Sequence, residues 1–298
     1  MPLWAFFAVA AYAINAAVAV SDKYFLTRRI PNAISYGFWV GVFGLVFVLA
    51  IPFGFSLPSP MVLVAALASG AAFTVFLLVL FWSIEHGDVS RVVPTMGVVF
   101  PLATMFLASF FIHEKLESTQ FLAFCVLVAS SVLLSFYGYQ KGDHHVAVFF
   151  GAVLAGLLSA LSSVLAKYVF EHHEPFISGF IWMRLAGGAM ALTLLLVPRW
   201  RRRIFGTTRD PQSHIGFLVL VRIGAGLSFI VLNYSIALGS VTLVNALKGA
   251  EYAVIFLIMI VLSKFLPGVV KETLNPKIVI AKCIAISGII IGLLLLRM

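Results

Sequence analysis

The sequence predicts an all-α membrane protein with ten transmembrane helices, built as two inverted five-helix repeats. Of its 298 residues, 62% are hydrophobic and only 10% are charged, which is outside the usual range of soluble domains. The apolar residues form separate runs of about 20, the length that one helix needs to cross a bilayer. Polar landmarks of the first half of the chain also recur in the second half, in the same order.

Ten apolar runs are separated by short connections, and each run is predicted to be one helix. The predicted spans are 3–24, 33–52, 61–84, 92–112, 118–138, 146–170, 176–197, 214–238, 242–264 and 275–297. The longest connection, Pro198–Ser213, has sixteen residues, so we expect any function to lie in or beside the membrane. Because no Lys or Arg precedes the first span, we expect it to be an uncleaved helix and not a secretory signal.

The two halves share polar landmarks that an apolar composition alone does not repeat. The matched sets are Lys23-Tyr24 with Lys167-Tyr168, Pro31 with Pro175, Trp82-Ser83-Ile84 with Tyr234-Ser235-Ile236, Gly87 with Gly239, Glu114 with Glu272, and Cys125 with Cys283. We therefore predict one repeat over residues 1–140 and a second over residues 146–298. Because five helices is an odd number, the second repeat must enter the membrane in the opposite orientation.

Positive charge concentrates in the connections after predicted spans 1, 3, 5, 7 and 9. The thirteen basic residues there are Lys23, Arg28, Arg29, Arg91, Lys141, Arg199, Arg201, Arg202, Arg203, Arg209, Lys264, Lys271 and Lys277. The opposite side holds only Lys115, Lys167 and Arg297. Since basic loops stay in the cytoplasm, we expect these connections to face the cytoplasm of an inner-membrane protein, with both termini outside.

The net charge of +9 is expected to act on membrane lipid and not on nucleic acid, because the basic residues outside the spans cluster only over Trp200–Arg203. We interpret that run as an anchor on anionic headgroups. The pairs His144-His145 and His172-His173 lack the spacing of a metal site. We therefore expect no nucleic-acid partner, no metal and no cofactor, and the sequence leaves monomer and homodimer open.

Three segments follow a known pattern: IHEKLESTQFLAFCVLVASSVLL over Ile112–Leu134, VVKETLNPKIVIAKCIAISGIII over Val269–Ile291, and SIALGSVTLVNALKG over Ser235–Gly249. With them, the repeat resembles the EamA family of the drug/metabolite transporter superfamily. The resemblance implies a ten-helix carrier whose spans 1, 3, 4, 6, 8 and 9 line a central cavity, with spans 5 and 10 at the periphery. Family substrates include amino acids, sugars and their phosphates, drugs and other small metabolites. Family members usually keep both termini in the cytoplasm, which the charge count of this chain reverses.

The stretch Gly239–Phe265 is long enough to span a bilayer, yet it carries Asn245, Lys248 and Glu251 in its first turns. An ionisable residue at membrane depth costs about 2.5–3.5 kcal/mol on insertion scales, so it is expected to face a protein interior or a wet cavity. Asn245, Lys248 and Tyr252 would share one face of a continuous helix, and Glu251 lies close enough to Lys248 to pair with it. The alternative is that Lys248 and Glu251 lie at the headgroups and snorkel.

Arg184 and Arg222 lie in predicted spans 7 and 8 of the second repeat. The first-repeat counterparts of Arg184, Arg222 and Lys248 are Val40, about Gly70, and Met96. Against the carboxylate of Glu251, these three cations leave a positive surplus. Because a buried cation needs an anion, we predict that they bind the phosphate or carboxylate of a substrate. Alternatively, Arg184 or Arg222 bonds Glu251 and backbone carbonyls, and only holds helices together.

Asn15 in span 1 and Tyr234 in span 8 are further candidates to hydrogen-bond a ligand. Bonds between helices are the alternative for Asn15, and a place in the interfacial aromatic belt is the alternative for Tyr234. The full set of predicted substrate-binding residues is Arg184, Arg222, Lys248, Glu251, Asn245, Tyr252, Asn15 and Tyr234.

These features predict a secondary-active transporter of a small polar, anionic metabolite that works by alternating access. One alternative is a transporter or flippase of a phosphate-bearing lipid, whose phosphate would meet the same cations through a lateral opening. A second alternative is an intramembrane enzyme, which needs a nucleophile–base pair or paired carboxylates at one depth. The sequence places one convincing carboxylate inside the spans, so we expect a carrier and not an enzyme.

Overall fold

The chain is an integral multi-pass membrane protein whose described residues are helices and their connections, with no strand among them. The computed structural model describes residues 2–28, 32–87, 89–136, 146–206, 215–265 and 276–296. Eight helical segments in these ranges are long and apolar enough to cross a membrane. Two shorter apolar helices, Ser118–Leu134 and Ile280–Leu295, accompany them.

The helices overlap the predicted spans in chain order, with one additional helix in the connection after the seventh span and two helices in the ninth. They are α1 (Leu3–Arg28), α2 (Ala33–Phe43), α3 (Pro60–His86), α4 (Val89–Phe111), α5 (Ser118–Phe136), α6 (Val146–His172), α7 (Phe176–Thr193), α8 (Pro198–Gly206), α9 (Ile215–Leu238), α10 (Val241–Ala246), α11 (Lys248–Phe265) and α12 (Pro276–Leu295). Short 3₁₀ helices extend α2 over Gly44–Phe53 and α7 over Leu194–Leu196.

Several residues used in the sequence analysis lie outside the described residues. They are Arg29, Pro31, Lys141, His144, His145, Arg209, Lys271, Glu272 and Arg297.

The second predicted span changes geometry halfway along its length. Asn32 caps its start, and a carboxylate oxygen of Glu85 accepts a hydrogen bond from the Ala33 amide at 3.0 Å. At Gly44 the α-helix gives way to a 3₁₀ helix, which is tighter and rises about 2 Å per residue. A 3₁₀ stretch inside a span often marks a hinge.

The ninth predicted span is present as one stretch long enough to cross a membrane, Val241–Val261, with a one-residue turn near its start. The chain turns at Leu247, whose amide donates to the carbonyls of Leu243 and Val244 at 3.2 Å. As a result α10 ends at Ala246 and α11 begins at Lys248.

The long connection after α7 contains the amphipathic helix α8. Ile204 is buried in a cluster with Phe38 of α2, while the arginines of α8 are exposed. The Ser35 hydroxyl of α2 also donates to the backbone carbonyl of Arg203 at 2.9 Å. The basic run at Trp200–Arg203 is therefore held against the start of α2.

The helices pack in pairs that cross between the two halves of the chain. α6 packs against α3 and α4, while α1 packs against α9 and α11. α3 also packs along α7, and α5 along α12. Glycines allow these close approaches: a side chain at Gly70 would collide with the Met183 carbonyl, and one at Gly156 would crowd Val99.

Candidate functional site

Buried polar atoms that lack a hydrogen-bond partner point to the functional region. Within the described part of the chain they include Arg184 Nε, Asn245 Oδ1 and the hydroxyls of Tyr12 and Tyr252. Such atoms are uncommon in native proteins and call for an explanation, such as a ligand or water. Three of these four residues were predicted from the sequence to bind substrate.

Arg184 lies on α7, about two turns into the span Phe176–Leu196, and is only 6% exposed. Its guanidinium carbon lies 5.1 Å from the ring centroid of Phe73 on α3 and 4.7 Å from that of Phe229 on α9. The guanidinium also presses on Gly44, where any Cβ would collide with it. Gly44 therefore makes room for the arginine at the point where α2 becomes a 3₁₀ helix.

Arg222 lies on α9 and is 8% exposed. Its Nη2 donates to the Tyr36 hydroxyl of α2 at 2.8 Å, and its guanidinium carbon lies 5.3 Å from the Tyr36 ring centroid. Tyr36 is in turn packed edge-on against Phe81 at 4.9 Å. Seven residues separate Arg222 from Phe229, a rise of about 10 Å along the helix. Arg222 and Arg184 thus occupy two layers of the same helix group, α2, α3, α7 and α9.

Lys248 begins α11 and forms an ion pair with Glu251, in which the lysine side chain is 18% exposed and the glutamate side chain 8%. Its Nζ lies 2.6 Å from Glu251 Oε2 and 5.5 Å from the ring centroid of Tyr12 on α1. Glu251 is 6% exposed and lies ten residues, or about 15 Å, into the span Val241–Val261. The pair that the spacing predicted is present, and the carboxylate lies at mid-span, which argues against the headgroup alternative.

Asn245 and Tyr252 face α4 from either side of the turn at Leu247. Asn245 Nδ2 donates to Thr104 Oγ1 at 3.1 Å, and the Thr104 hydroxyl donates to the Phe100 carbonyl at 2.8 Å. The Tyr252 ring packs against Gly97, where a Cβ would meet its hydroxyl at 2.8 Å. Asn245 therefore holds α10 to α4, as the interhelical alternative for polar residues expects.

The remaining two predicted residues lie apart from the cations. Asn15 is partly buried on α1, one turn beyond Tyr12. Tyr234 is 39% exposed near the end of α9 and packs edge-on against Phe7 at 5.5 Å and Phe176 at 5.3 Å. Tyr234 thus belongs to an aromatic cluster near one end of the bundle.

The structure divides the predicted residues into two groups. The arginine group is Arg184 and Arg222, between α2, α3, α7 and α9. The lysine group is Lys248, Glu251, Asn245 and Tyr252, between α1, α4, α10 and α11. Glu251 is engaged with Lys248, so the alternative in which it neutralises Arg184 is not the arrangement found.

Sequence reasoning missed the aromatic partners of the cations, which are Tyr12, Tyr36, Phe73 and Phe229. The two tyrosines carry a hydroxyl inside apolar runs, and that signal was available in the sequence. The two phenylalanines stand among 28 in the chain, so no local pattern distinguishes them.

Comparison with known proteins establishes the fold and nothing finer. No family model matches the chain, and no curated protein of similar sequence was found. Solved structures do share the fold: one crystal structure superposes with a TM-score of 0.71 over 98% of each chain, at 17% sequence identity. At that identity the likeness concerns the arrangement of helices and carries no inference about substrate.

Proposed function

We propose that this protein is a secondary-active transporter of a small anionic metabolite, of the EamA type, that works by alternating access. The observation that carries the proposal is Arg184, a cation buried at mid-span whose Nε has no hydrogen-bond partner in the described residues. A buried charge is strongly destabilising unless an opposite charge accompanies it. Intramembrane ionisable residues mark substrate pathways for that reason. An anionic substrate supplies the missing charge.

The pattern of helix contacts supports two inverted repeats of five spans. In the proposed repeat, α1 corresponds to α6, α3 to α9, and α4 to α11. The structure has the matching contacts, because α6 packs on α3 and α4 while α1 packs on α9 and α11. The contact of α5 with α12 joins the last spans of the two proposed repeats, so exchanging the repeats leaves it unchanged. Carriers with inverted repeats place substrate at the interface between the repeats, where the arginine and lysine groups lie.

Two corresponding interfaces differ, which is what alternating access requires. α3 packs along α7 through Gly70, whereas among the described residues α2 and α9 do not pack along each other. Arg222 bridges α2 and α9 through the Tyr36 hydroxyl. In the proposed cycle, the close packing of α3 on α7 loosens while α2 and α9 come together. The 3₁₀ segment that starts at Gly44 provides the hinge of α2.

The lysine group is proposed to couple transport to a proton. Protonation of Glu251 would release Lys248. The hydroxyls of Tyr12 and Tyr252, which have no hydrogen-bond partner in the described residues, would then bond Glu251 or Lys248. The protein would act as a carrier and not as an enzyme, without a cofactor, in the inner membrane. The loops after spans 1, 3, 5, 7 and 9 would face the cytoplasm. It would work as a monomer or a homodimer.

A flux experiment that presumes no particular substrate tests the proposal. Proteoliposomes are loaded with a mixture of small carboxylates and phosphate esters, and mass spectrometry of the external medium follows their release. We expect at least one anion to leave faster than from protein-free liposomes, and Arg184→Gln to abolish that release. If the wild-type protein releases every anion at the protein-free rate, with or without a proton gradient, the proposal is wrong.

The cation that bridges α2 and α9 suggests a second candidate function, the flipping of a phosphate-bearing lipid. A lateral opening there would let the headgroup reach Arg222 while the acyl chains stay in the bilayer. Native mass spectrometry of protein purified in mild detergent distinguishes the two functions. Retained phospholipid that is lost in Arg222→Gln supports the lipid function, and retained soluble anion supports the metabolite function.

A further inference from the structure

Arg184 lies beside a connected cluster of four phenylalanines, two of which contact its guanidinium. We call Phe47, Phe73, Phe180 and Phe229 the phenylalanine cage. Phe229 lies 4.7 Å from Phe73 and 5.8 Å from Phe180, and Phe180 lies 5.0 Å from Phe47, all between ring centroids. Phe73 of α3 and Phe229 of α9 contact the guanidinium, and Phe180 of α7 and Phe47 of the 3₁₀ helix extend the cluster, so this side of the site is apolar.

Phe73 and Phe229 cover one side of the Arg184 guanidinium. Its N–H groups point outward in the plane of the guanidinium, and those donors match the two oxygens of a carboxylate. Arg184 Nε lacks a hydrogen-bond partner in the described part of the chain, so a ligand has a donor to satisfy.

The single charge of Arg184 and the apolar rings of the cage limit the class of ligand that can bind. Arg222 lies about 10 Å along α9 and is engaged with Tyr36, so Arg184 offers one positive charge at its own depth. A dianion such as a phosphate monoester would keep an uncompensated charge among phenylalanines, which is costly. The hydroxyls of a sugar acid would likewise find no polar side chain in the cage, since burial of an unbonded hydroxyl is unfavourable.

We propose that Arg184 and the phenylalanine cage bind an organic monocarboxylate with an apolar, ring-sized body. The carboxylate accepts hydrogen bonds from the edge of the guanidinium, and the body packs against the rings of the cage. This proposal rests on the proposed transport function and names its substrate class.

A thermal-shift series on the purified full-length protein tests the substrate class, because a ligand that binds the folded state raises the melting temperature. The probes are phenylacetate, its neutral isostere phenylacetamide, the polar monocarboxylate gluconate, and inorganic phosphate. We expect phenylacetate alone to raise the melting temperature in a saturable way. Arg184→Gln should weaken its apparent affinity roughly ten- to hundredfold, the usual effect of losing hydrogen bonds to a charged group.

Lys282→Gln is the matched control. Lys282 also carries a cation over an aromatic ring, with its Nζ 4.0 Å from the Phe256 centroid, but it lies on α12, away from the cage. This variant should bind phenylacetate with wild-type affinity. An equal loss in both variants would make the effect a general consequence of removing a positive charge, and the proposal would be overturned.

Phe229→Leu keeps Arg184 and serves if Arg184→Gln does not fold. It should weaken phenylacetate binding, and unchanged binding would remove the cage from the site. Equal shifts with phenylacetamide, or no shift with phenylacetate, also overturn the proposal. Stabilisation by gluconate or phosphate that depends on Arg184 overturns the substrate class and leaves anion transport standing. Phenylacetate that binds but does not cross proteoliposomes overturns transport and leaves the binding site standing.

Discussion

In the contacts between buried cations and aromatic rings, the second half of the chain supplies the cations and the first half supplies rings. The three cations predicted to bind substrate all belong to the second half, and each lies on an aromatic ring of the first: Arg184 on Phe73, Arg222 on Tyr36, and Lys248 on Tyr12. An aromatic face attracts a desolvated cation by about 2 kcal/mol without cancelling its charge. This division of roles lets a cation remain inside the membrane and still attract an anion.

The predicted counterparts Gly70 and Arg222 make the same difference visible at the helix interfaces. Gly70 has no side chain, and it lets α3 approach the backbone of α7 at Met183. Arg222 fills the corresponding place with a long cation that reaches across to Tyr36. Under the proposed repeat, residue size at one equivalent position therefore separates a closed interface from a bridged one.

The largest expected effect comes from removing the ammonium of the lysine group. Lys248→Met leaves Glu251 buried and unpaired, and breaking a buried pair from one side typically costs about 3–5 kcal/mol. Thermal unfolding in detergent should show this loss. The double variant with Glu251→Gln should recover most of it, because no charge is then left unpaired. A Lys248→Met protein as stable as wild type would show that Glu251 is not held by this pair.

Gly70→Ala tests the closed interface. The new Cβ would collide with the Met183 carbonyl, a backbone atom that cannot rotate away, so we expect a loss of about 1–3 kcal/mol. Gly224→Ala is the matched control, since its Cβ would meet only Val18 at an ordinary 3.8 Å. Alanine there should be neutral or stabilising by up to about 1 kcal/mol. Equal melting temperatures for the two variants would contradict the close packing of α3 on α7.

Tyr36→Phe tests the bridged interface by removing one oxygen atom. Arg222 loses the hydrogen bond at 2.8 Å but keeps the aromatic ring, so we expect a loss of about 1 kcal/mol, the scale of polar bonds between membrane helices. Tyr12→Phe removes a hydroxyl that has no partner in the described residues and should leave stability unchanged. Chemical denaturation of both variants measures the difference, and the reverse order of stability would refute the assignment.

The smallest expected effect concerns the bond between Asn245 and Thr104. A double-mutant cycle with Asn245→Ala and Thr104→Val should give a coupling energy of about 0.6 kcal/mol, the average for such bonds in membranes. Unfolding of the two single variants and the double variant supplies the cycle. Zero coupling would mean that Asn245 is available to a ligand and does not hold α10 to α4.

Periodicity and composition predicted the membrane-spanning helices, but they did not predict that the candidate residues separate into an arginine group and a lysine group. Apolar runs of about 20 residues identify spans because the bilayer imposes a length, so the helix bounds were close. The turn at Leu247 was missed because it affects one residue inside a stretch that is long and apolar enough for a single span. Charged residues inside spans are rare enough that Arg184, Arg222, Lys248 and Glu251 could be picked out one by one.

By itself the sequence determined that this protein is helical, crosses a membrane several times, and carries charge at membrane depth. These properties follow from local composition. A span needs about 20 apolar residues wherever its helix packs, and a charged residue inside such a run is visible in the sequence. Only the tertiary structure decided which partner each charge has. It put Lys248 with Glu251 and Arg184 against Phe73 and Phe229. Those contacts join helices far apart in the chain, so they depend on how the helices pack and not on any local pattern.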